Sequence, residues 1–398
     1  MSQPSEPGVH IASEPDGTPY GAGSGRKPRV AVVFGGTSDE HPVSCLTARG
    51  VVGAIDQARY DVIGVGITRS GRWIVVPPEQ IAALEVTDRK LPELTDQAAA
   101  AMLLPGSSPS RGGELVQRTP GGDGLAELGP VDVAFSLLHG PFGEDGTIQG
   151  LFEMMGTRYV GAGVLASAVG MDKHYMKMIF AGAGLPIGPY VVITPADWQR
   201  DREQALKAVS QLTYPLYVKP TRNGSSIGIS KITDESQLAD AIAFAHQYDP
   251  KVIIEEGFEN ARELECGVLQ STGGAAPQVS SIAEIRMHTD SGFYDFDAKY
   301  LPEEQVDLDV PADLAPELAE EMRALAARAF ESISCEGLAR VDFFLTADGR
   351  LVVNEINTMP GFTEHSMYPR VWAASGIDYP TLVDRLLQLA LERPVGLR

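Results

Sequence analysis

The first apolar run, residues 30–34, has no polar interruption and ends on Gly35-Gly36-Thr37-Ser38. An unbroken run of that length predicts a parallel strand buried on both faces and feeding a glycine-rich turn. The pattern then predicts a helix over residues 43–55 and a strand over 60–67. A second buried strand follows over 131–138, closing on His139-Gly140, and a helix over 147–155. Such β–α alternation predicts a doubly wound sheet whose loops gather at the carboxyl edge. Residues 77–130 carry no clear period, several Pro and Gly residues and an alanine-rich patch, and read as a surface elaboration.

From about residue 161 the pattern becomes α+β. It predicts helices at 163–182, 196–211 and 234–247, with strands at 214–219, 227–232 and 251–255. Further on come strands at 262–269, 279–285, 338–346 and 350–356, a long helix at 313–334 and a closing amphipathic helix at 379–392. Strand alternation sets Arg340, Asp342 and Phe344 on one face. Asp348-Gly349 signals a hairpin turn, and the returning strand sets Leu351, Val353, Glu355 and Asn357 together.

Length and charge narrow the classes. The chain has 398 residues, enough for two or three domains. Its formal net charge of -21 argues against a nucleic-acid binder and against an anionic membrane surface. A polyanionic substrate would need local cations against this field. Three dispersed cysteines, Cys45, Cys266 and Cys335, fit a reducing cytoplasm and give no disulfide framework. No run of 18 apolar residues occurs, and the N-terminus lacks an apolar signal core. Residues 1–27, rich in Pro, Gly, Ser and Glu, are expected to form a disordered tail.

The candidate chemistry sits at strand ends. Asp342, Glu355 and Asn357 offer two carboxylates and an amide oxygen, hard ligands suited to Mg²⁺ on nucleotide phosphates; equally, they fit a solvated hairpin face. The turn-rich Met359-Pro360-Gly361 and Glu364-His365-Ser366 can offer backbone N–H groups to an oxyanion. Lys219 ends a strand before Asn223-Gly224-Ser225-Ser226-Ile227-Gly228, a turn able to lay N–H groups around phosphates, or an ordinary hairpin. Lys173, in Met171-Asp172-Lys173, reads as a mid-helix lysine, phosphate-facing or solvated. Glu255 and Glu263 can accept from an adenine amino group and ribose hydroxyls; equally, this stretch fits a linker between domains. Glu40 can hold a substrate ammonium, and His139 follows a strand at the sheet's ligand edge. Residues 292–300, aromatic and charged, read as a lid or a strand edge.

In order along the chain, these segments resemble the D-alanine–D-alanine ligase family of the ATP-grasp superfamily. The stretches are Phe34 to His41, His139-Gly140 to Gly146, Met171-Asp172-Lys173, Val218-Lys219-Pro220, Gly224 to Gly228, Tyr294 to Tyr300, Arg340-Val341-Asp342 and Asn354 to Gly361. The resemblance covers about residues 29–72 and 131–393. It implies a Rossmann-like preATP-grasp domain (28–161) followed by a two-domain ATP-grasp fold (162–254 and 255–398), with a lid at 286–305. It implies ATP as a substrate, two Mg²⁺ (or Mn²⁺) ions, a D-alanyl phosphate intermediate, peptidoglycan precursor synthesis in the cytoplasm, and a homodimer.

Residue by residue, it implies that Glu40, in a triad with Ser225 and Tyr300, meets the first D-alanine, and that His139 lies close to it. Lys173, Lys219 and Ser226 would bind ATP phosphates, with Lys299 from the lid near the γ-phosphate. Glu255 would contact adenine and Glu263 ribose. Arg340 and Gly361 would stabilise the tetrahedral oxyanion, and Ser366 the second substrate's carboxylate. Asp342, Glu355 and Asn357 would ligate the metals. Tyr300 favours D-alanine over D-lactate as second substrate, with D-lactate or D-serine ligases and an ATP-grasp phosphotransferase as alternatives. Two departures stand out: Pro42 after His41, and Glu256 after Glu255 where lysine is common.

Overall fold

The computed structural model describes residues 26–87, 90–106, 112–119, 122, 124–224, 227–287 and 306–394. The chain opens with β1 (Arg29–Gly35), α1 (His41–Ala54), β2 (Asp61–Ile67), β3 (Trp73–Val76) and α2 (Pro78–Ala82). After β4 (Ala101–Leu104), β5 (Gly113–Arg118) and β6 (Leu125–Val131) come β7 (Val133–Ser136), α3 (Thr147–Met155) and β8 (Arg158–Tyr159). The first sheet has the order β3-β2-β1-β7-β8, with β1 parallel to β2 and β7 and with β3 antiparallel at the edge. Val30, Val32 and Phe34 enter one core, and Ala31 and Val33 the other. Both faces are thus covered, which is why the strand is apolar throughout.

Residues 77–130 depart from the expected irregular elaboration: they hold an antiparallel sheet of order β4-β5-β6. Leu115 and Val131 anchor it in the same core as Phe152. Its outer positions are exposed, and Gly129 and Pro130 stand inside β6, so the alternation that marks a strand is broken in the sequence.

Next come α4 (Val164–Met171) and α5 (Lys173–Gly182). The single helix expected over 163–182 is interrupted at Asp172, whose carboxylate accepts from the N–H groups of His174 and Tyr175. A carboxylate at this position starts a new helix, so Lys173 opens α5 instead of sitting mid-helix. The span 196–211 is split likewise into α6 (Pro195–Arg200) and α7 (Arg202–Val209), with Asp201 capping Gln204. A second antiparallel sheet, β11-β10-β12-β9, contains β9 (Tyr190–Ile193), β10 (Leu216–Pro220), β11 (Ser230–Ile232) and β12 (Val252–Glu256). It shares its own core with α7 and α8 (Leu238–Ala245).

A third antiparallel sheet runs β15-β14-β13-β16-β17, with β13 (Arg262–Leu269), β14 (Gln278–Met287), β15 (Val306–Asp309), β16 (Leu338–Leu345) and β17 (Leu351–Asn357). Helix α9 (Pro316–Ser332) packs Met322, Leu325, Ala326, Ala329 and Phe330 against it. The chain closes with α10 (Met367–Ala374) and α11 (Tyr379–Glu392). Leu382, Val383, Leu386, Leu387, Ala390 and Leu391 form the buried stripe of α11, at the i, i+3, i+4 spacing of one helix face. That stripe lies in the same core as Val30, Phe34 and Phe135 of the first sheet.

One register detail corrects the sequence reading. Asp342 pairs with Glu355, but Phe343 pairs with Val353, leaving Asn354 as a β-bulge. The extra residue reverses the alternation. Leu351 and Val353 therefore join the core with Val341, Phe343 and Ile356, on the face opposite Glu355 and Asn357. Of the expected tail, Arg26 and Lys27 are described: Arg26 forms a two-pronged pair with Asp132, and Lys27 donates to the Gln57 carbonyl. Among the described residues no helix is long and apolar enough to cross a membrane.

Candidate active site

The carboxyl ends of β1 and β7, the start of α5, the facing edges of β10 and β12, and the β16–β17 hairpin enclose one cleft. Glu40, His139, Lys173, Lys219, Glu255, Glu263, Arg340, Asp342, Glu355, Asn357, Gly361 and Ser366 all line it. Ser225, Ser226, Lys299 and Tyr300 lie outside the described residues, as do residues 288–305 of the expected lid; Arg286 and Met287 belong to β14.

At the sheet edge, Ser38 Oγ donates to the His139 carbonyl at 2.9 Å, tying the β1 and β7 turns together. Gly140 has φ +71°, and a Cβ there would stand 3.0 Å from Glu40 Oε2. The left-handed backbone thus favours glycine here. Its N–H donates to Glu144 Oε2 at 2.6 Å. Burial, reinforced by the charge of Glu40, pushes the Glu144 carboxyl up to about 8. Burial pushes the His139 imidazole down, so the neutral ring is favoured, and the backbone of Met359 bonds both side chains. His139 Nε2 is buried with no hydrogen-bond partner among the described residues, the kind of group a bound substrate satisfies.

His41 was not foreseen as a site residue, yet it fixes the Glu40 turn. Its Nδ1 lies 2.7 Å from the Gly36 carbonyl and its Nε2 accepts from the Leu94 N–H at 3.1 Å. Those partners assign the proton to Nδ1. Arg69 adds a 3.0 Å bond to the Ser38 carbonyl and a pair with Glu93. Pro42 falls in the first turn of α1, where its missing N–H has no helical partner to lose.

On the opposite wall, Glu255 is held by two lysines, Lys219 at 2.6 Å and Lys177 at 2.7 Å. Burial opposes its charge, and Lys177 and Lys219 overcome that cost, holding the carboxyl far below the usual range. Lys219 keeps its proton despite burial because Glu255, and further off Glu355, face it. Lys173 Nζ donates to the Asn223 carbonyl at 2.9 Å and lies 3.5 Å from Glu355. It thus joins the glycine-rich turn to the hairpin.

On the hairpin, Arg340 makes a two-pronged pair with Asp342, both contacts at 2.7 Å, and meets Glu265 at 3.0 Å. These carboxylates outweigh burial and raise the guanidinium well above its ordinary value. Asn357 Nδ2 donates to Asp342 at 3.0 Å. Ser366 is the N-cap residue of α10 and its Oγ is within 2.7 Å of Thr363 Oγ1. The first turn of α10 therefore faces the cleft, where its unpaired N–H groups favour a carboxylate.

The donor set suits magnesium on phosphates. Asp342 and Glu355 stand directly opposite each other across the strand pair, with Asn357 touching Asp342. Among the described residues no three His, Cys, Asp or Glu side chains gather where they could hold a metal ion by themselves. Two carboxylates and one amide leave coordination positions for phosphate oxygens, as Mg²⁺ prefers in nucleotide sites.

Four residues beyond the predicted set belong to the cleft or its support: Lys177, Glu144, Glu265 and His41. Three had a readable signal. Lys177 follows Lys173 by one helical turn, Glu265 shares strand parity with Glu263, and Glu144 lies in the stretch from His139 to Gly146 that carries the family resemblance.

A Rossmann-like sheet joined to two antiparallel sheets that face a lysine- and carboxylate-lined cleft defines an ATP-grasp enzyme, an ATP-dependent ligase. Two family models match, "D-ala D-ala ligase N-terminus" over residues 29–162 and "D-ala D-ala ligase C-terminus" over residues 179–388. The chain belongs to the D-alanine–D-alanine ligase family. It is 52% identical over 375 residues to the D-alanine–D-alanine ligase of Kineococcus radiotolerans, covering 94% of this chain and 99% of that one. It is 51% identical to that of Mycobacterium ulcerans, covering 94% and 98%. Among solved structures it is similar to the VanG D-Ala:D-Ser ligase from Enterococcus faecalis, with TM-score 0.75, 33% identity, and 92% and 100% of the two chains covered. The D-alanine–D-alanine ligase from Coxiella burnetii gives 0.75, 30%, 92% and 94%.

Proposed function

We propose that this enzyme joins two D-alanine molecules, with ATP converted to ADP and phosphate, to supply a peptidoglycan precursor. A carboxylate oxygen of the first D-alanine attacks the γ-phosphorus, ADP leaves, and a D-alanyl phosphate forms. The amine of the second D-alanine attacks the acyl carbon; phosphate departs and the amine loses a proton. The observation that carries this reading is the juxtaposition of Arg340, Asp342 and Glu355 with Lys173 and Lys219 in one cleft.

Each role follows from what the side chain can do. Glu40 receives the first ammonium, and the neutral His139 lies beside its carboxylate. Lys173 and Lys219, with Ser226 and Lys299, offset phosphate charge that would otherwise repel the attacking carboxylate. Glu255 takes the adenine amino group and Glu263 the ribose. Asp342, Glu355 and Asn357 would hold two Mg²⁺ (or Mn²⁺), which supply charge neutralisation on the β- and γ-phosphates. A half-turn of the Asn357 amide presents its oxygen instead of its nitrogen. Arg340 and the Gly361 N–H stabilise the oxyanion, and Ser366 with the α10 N-terminus receives the second carboxylate. Ser225 and Tyr300 complete the Glu40 triad on the strength of sequence resemblance.

We assign three units, 28–161, 162–254 and 255–398, with a lid at 286–305, and expect a cytoplasmic homodimer. A second reading, D-serine as the acceptor, is favoured by the similarity to the Enterococcus faecalis D-Ala:D-Ser ligase. The chemistry is tested with D-alanine carrying ¹⁸O in its carboxylate. Transfer of one ¹⁸O to the released phosphate is expected; unlabelled phosphate would exclude the acylphosphate.

A further inference from the structure

Glu255 is a buried carboxylate with one lysine on each oxygen: Lys177 Nζ is 2.7 Å from Oε1 and Lys219 Nζ is 2.6 Å from Oε2. The two lysines differ in position. Lys219 closes β10 beside the glycine-rich turn and its side chain is 13% exposed. Lys177 sits one turn into α5, with its side chain 4% exposed and aimed at Glu255. Lys219 is the one that phosphates can draw away, since Glu355 and the metal-binding hairpin already face it. Lys177 is walled in by β12 and by the ring of Tyr190, 6.0 Å from its Nζ.

We propose that Lys177 is the standing counter-charge of Glu255, fixing its carboxylate to accept the adenine amino group when Lys219 turns to the phosphates. Lys177 is thereby a positioning residue for base specificity, an inference that rests on Glu255 being the adenine-contacting acid. With Lys219 engaged elsewhere and Lys177 absent, a buried lone carboxylate is costly and takes up a proton. A neutral carboxyl offers a donor where adenine also offers one, and suits a 6-oxo purine instead. The charged and titratable groups facing Glu255 are Lys177 from α5, Lys219 from β10 and Tyr190 from β9, with Tyr217 behind Lys219.

The test measures KM for ATP and the ratio of kcat/KM for ATP to that for ITP, from pH 6 to 9, in the wild type, Lys177→Met, Lys177→Arg and Glu255→Gln. Lys177→Met is expected to raise KM for ATP and to lower the ATP/ITP ratio, each about 10-fold at pH 7, with kcat changed far less. The defect should deepen as pH falls, because the unpaired carboxyl protonates, and Lys177→Arg should restore most of both quantities. A Lys177→Met enzyme with wild-type KM and ratio, beside a Glu255→Gln enzyme that has lost base preference, would overturn the inference and leave the reading of Glu255 standing. A defect that is flat with pH and not rescued by arginine would also overturn it. An unchanged ratio in Glu255→Gln would remove the reading of Glu255, and the inference with it.

Discussion

Single residues in this cleft matter through charge placed where water is scarce. Glu355 faces Asp342 across the strand pair and Lys173 across the cleft. Glu355→Gln keeps the shape and removes the charge, and is expected to lower kcat about 10³-fold or more. Near-normal turnover at ordinary Mg²⁺ would remove Glu355 from the metal site. Glu144 gives a prediction about stability. Burial, with the charge of Glu40 beside it, pushes its carboxyl from the ordinary 4.5 up to about 8. Between those two values the unfolded chain has released a proton that the native state retains. The contribution present below pH 4.5 is therefore lost as pH rises towards about 8. Denaturant titrations from pH 5 to 9 should show wild type losing stability relative to Glu144→Gln across that window. Parallel curves would contradict the burial argument.

At the scale of elements, α11 shows what the hydrophobic pattern can specify. Its stripe was legible because every core position recurs at helical spacing, and its bounds match the expected 379–392. Leu386 is buried between α11 and the first sheet. Leu386→Ala is expected to cost about 2–5 kcal/mol, read as a shift in the denaturation midpoint; a loss below 1 kcal/mol would mean that the site collapses around the smaller side chain. Other elements were hidden for physical reasons. The bulge at Asn354 leaves no mark in composition, so strand parity placed Leu351 and Val353 on the wrong face, although it grouped Glu355 with Asn357. Asp172 and Asp201 interrupt helices whose apolar spacing continues across the break. β4 to β6 carry too few buried positions to alternate. The cleft-lining positions were legible because strand ends and glycine turns concentrate polar residues there. His41 was not, because it acts through a partner distant in sequence, Leu94.

For the molecule as a whole, the last helix packs on the first sheet. Phe362, next to Gly361, meets the Phe135 ring edge-on with centroids 5.8 Å apart, and Tyr379 Oη donates to the Phe362 carbonyl at 2.8 Å. The strands leading to Glu40 and His139 and the Met359–Phe362 segment therefore belong to one core, which fixes their relative positions. The β9–β12 sheet has its separate core and meets α5 and its capping residue through the Lys177–Glu255 and Lys251–Asp172 ion pairs. The most direct measurement is the release of ADP, with the dipeptide quantified alongside, in the presence of D-alanine, L-alanine, D-serine or D-lactate, with and without Mg²⁺. One D-alanyl-D-alanine per ADP, requiring Mg²⁺ and absent with L-alanine, is predicted. ADP released without dipeptide, or D-serine or D-lactate taken in preference to D-alanine as the second substrate, would contradict it.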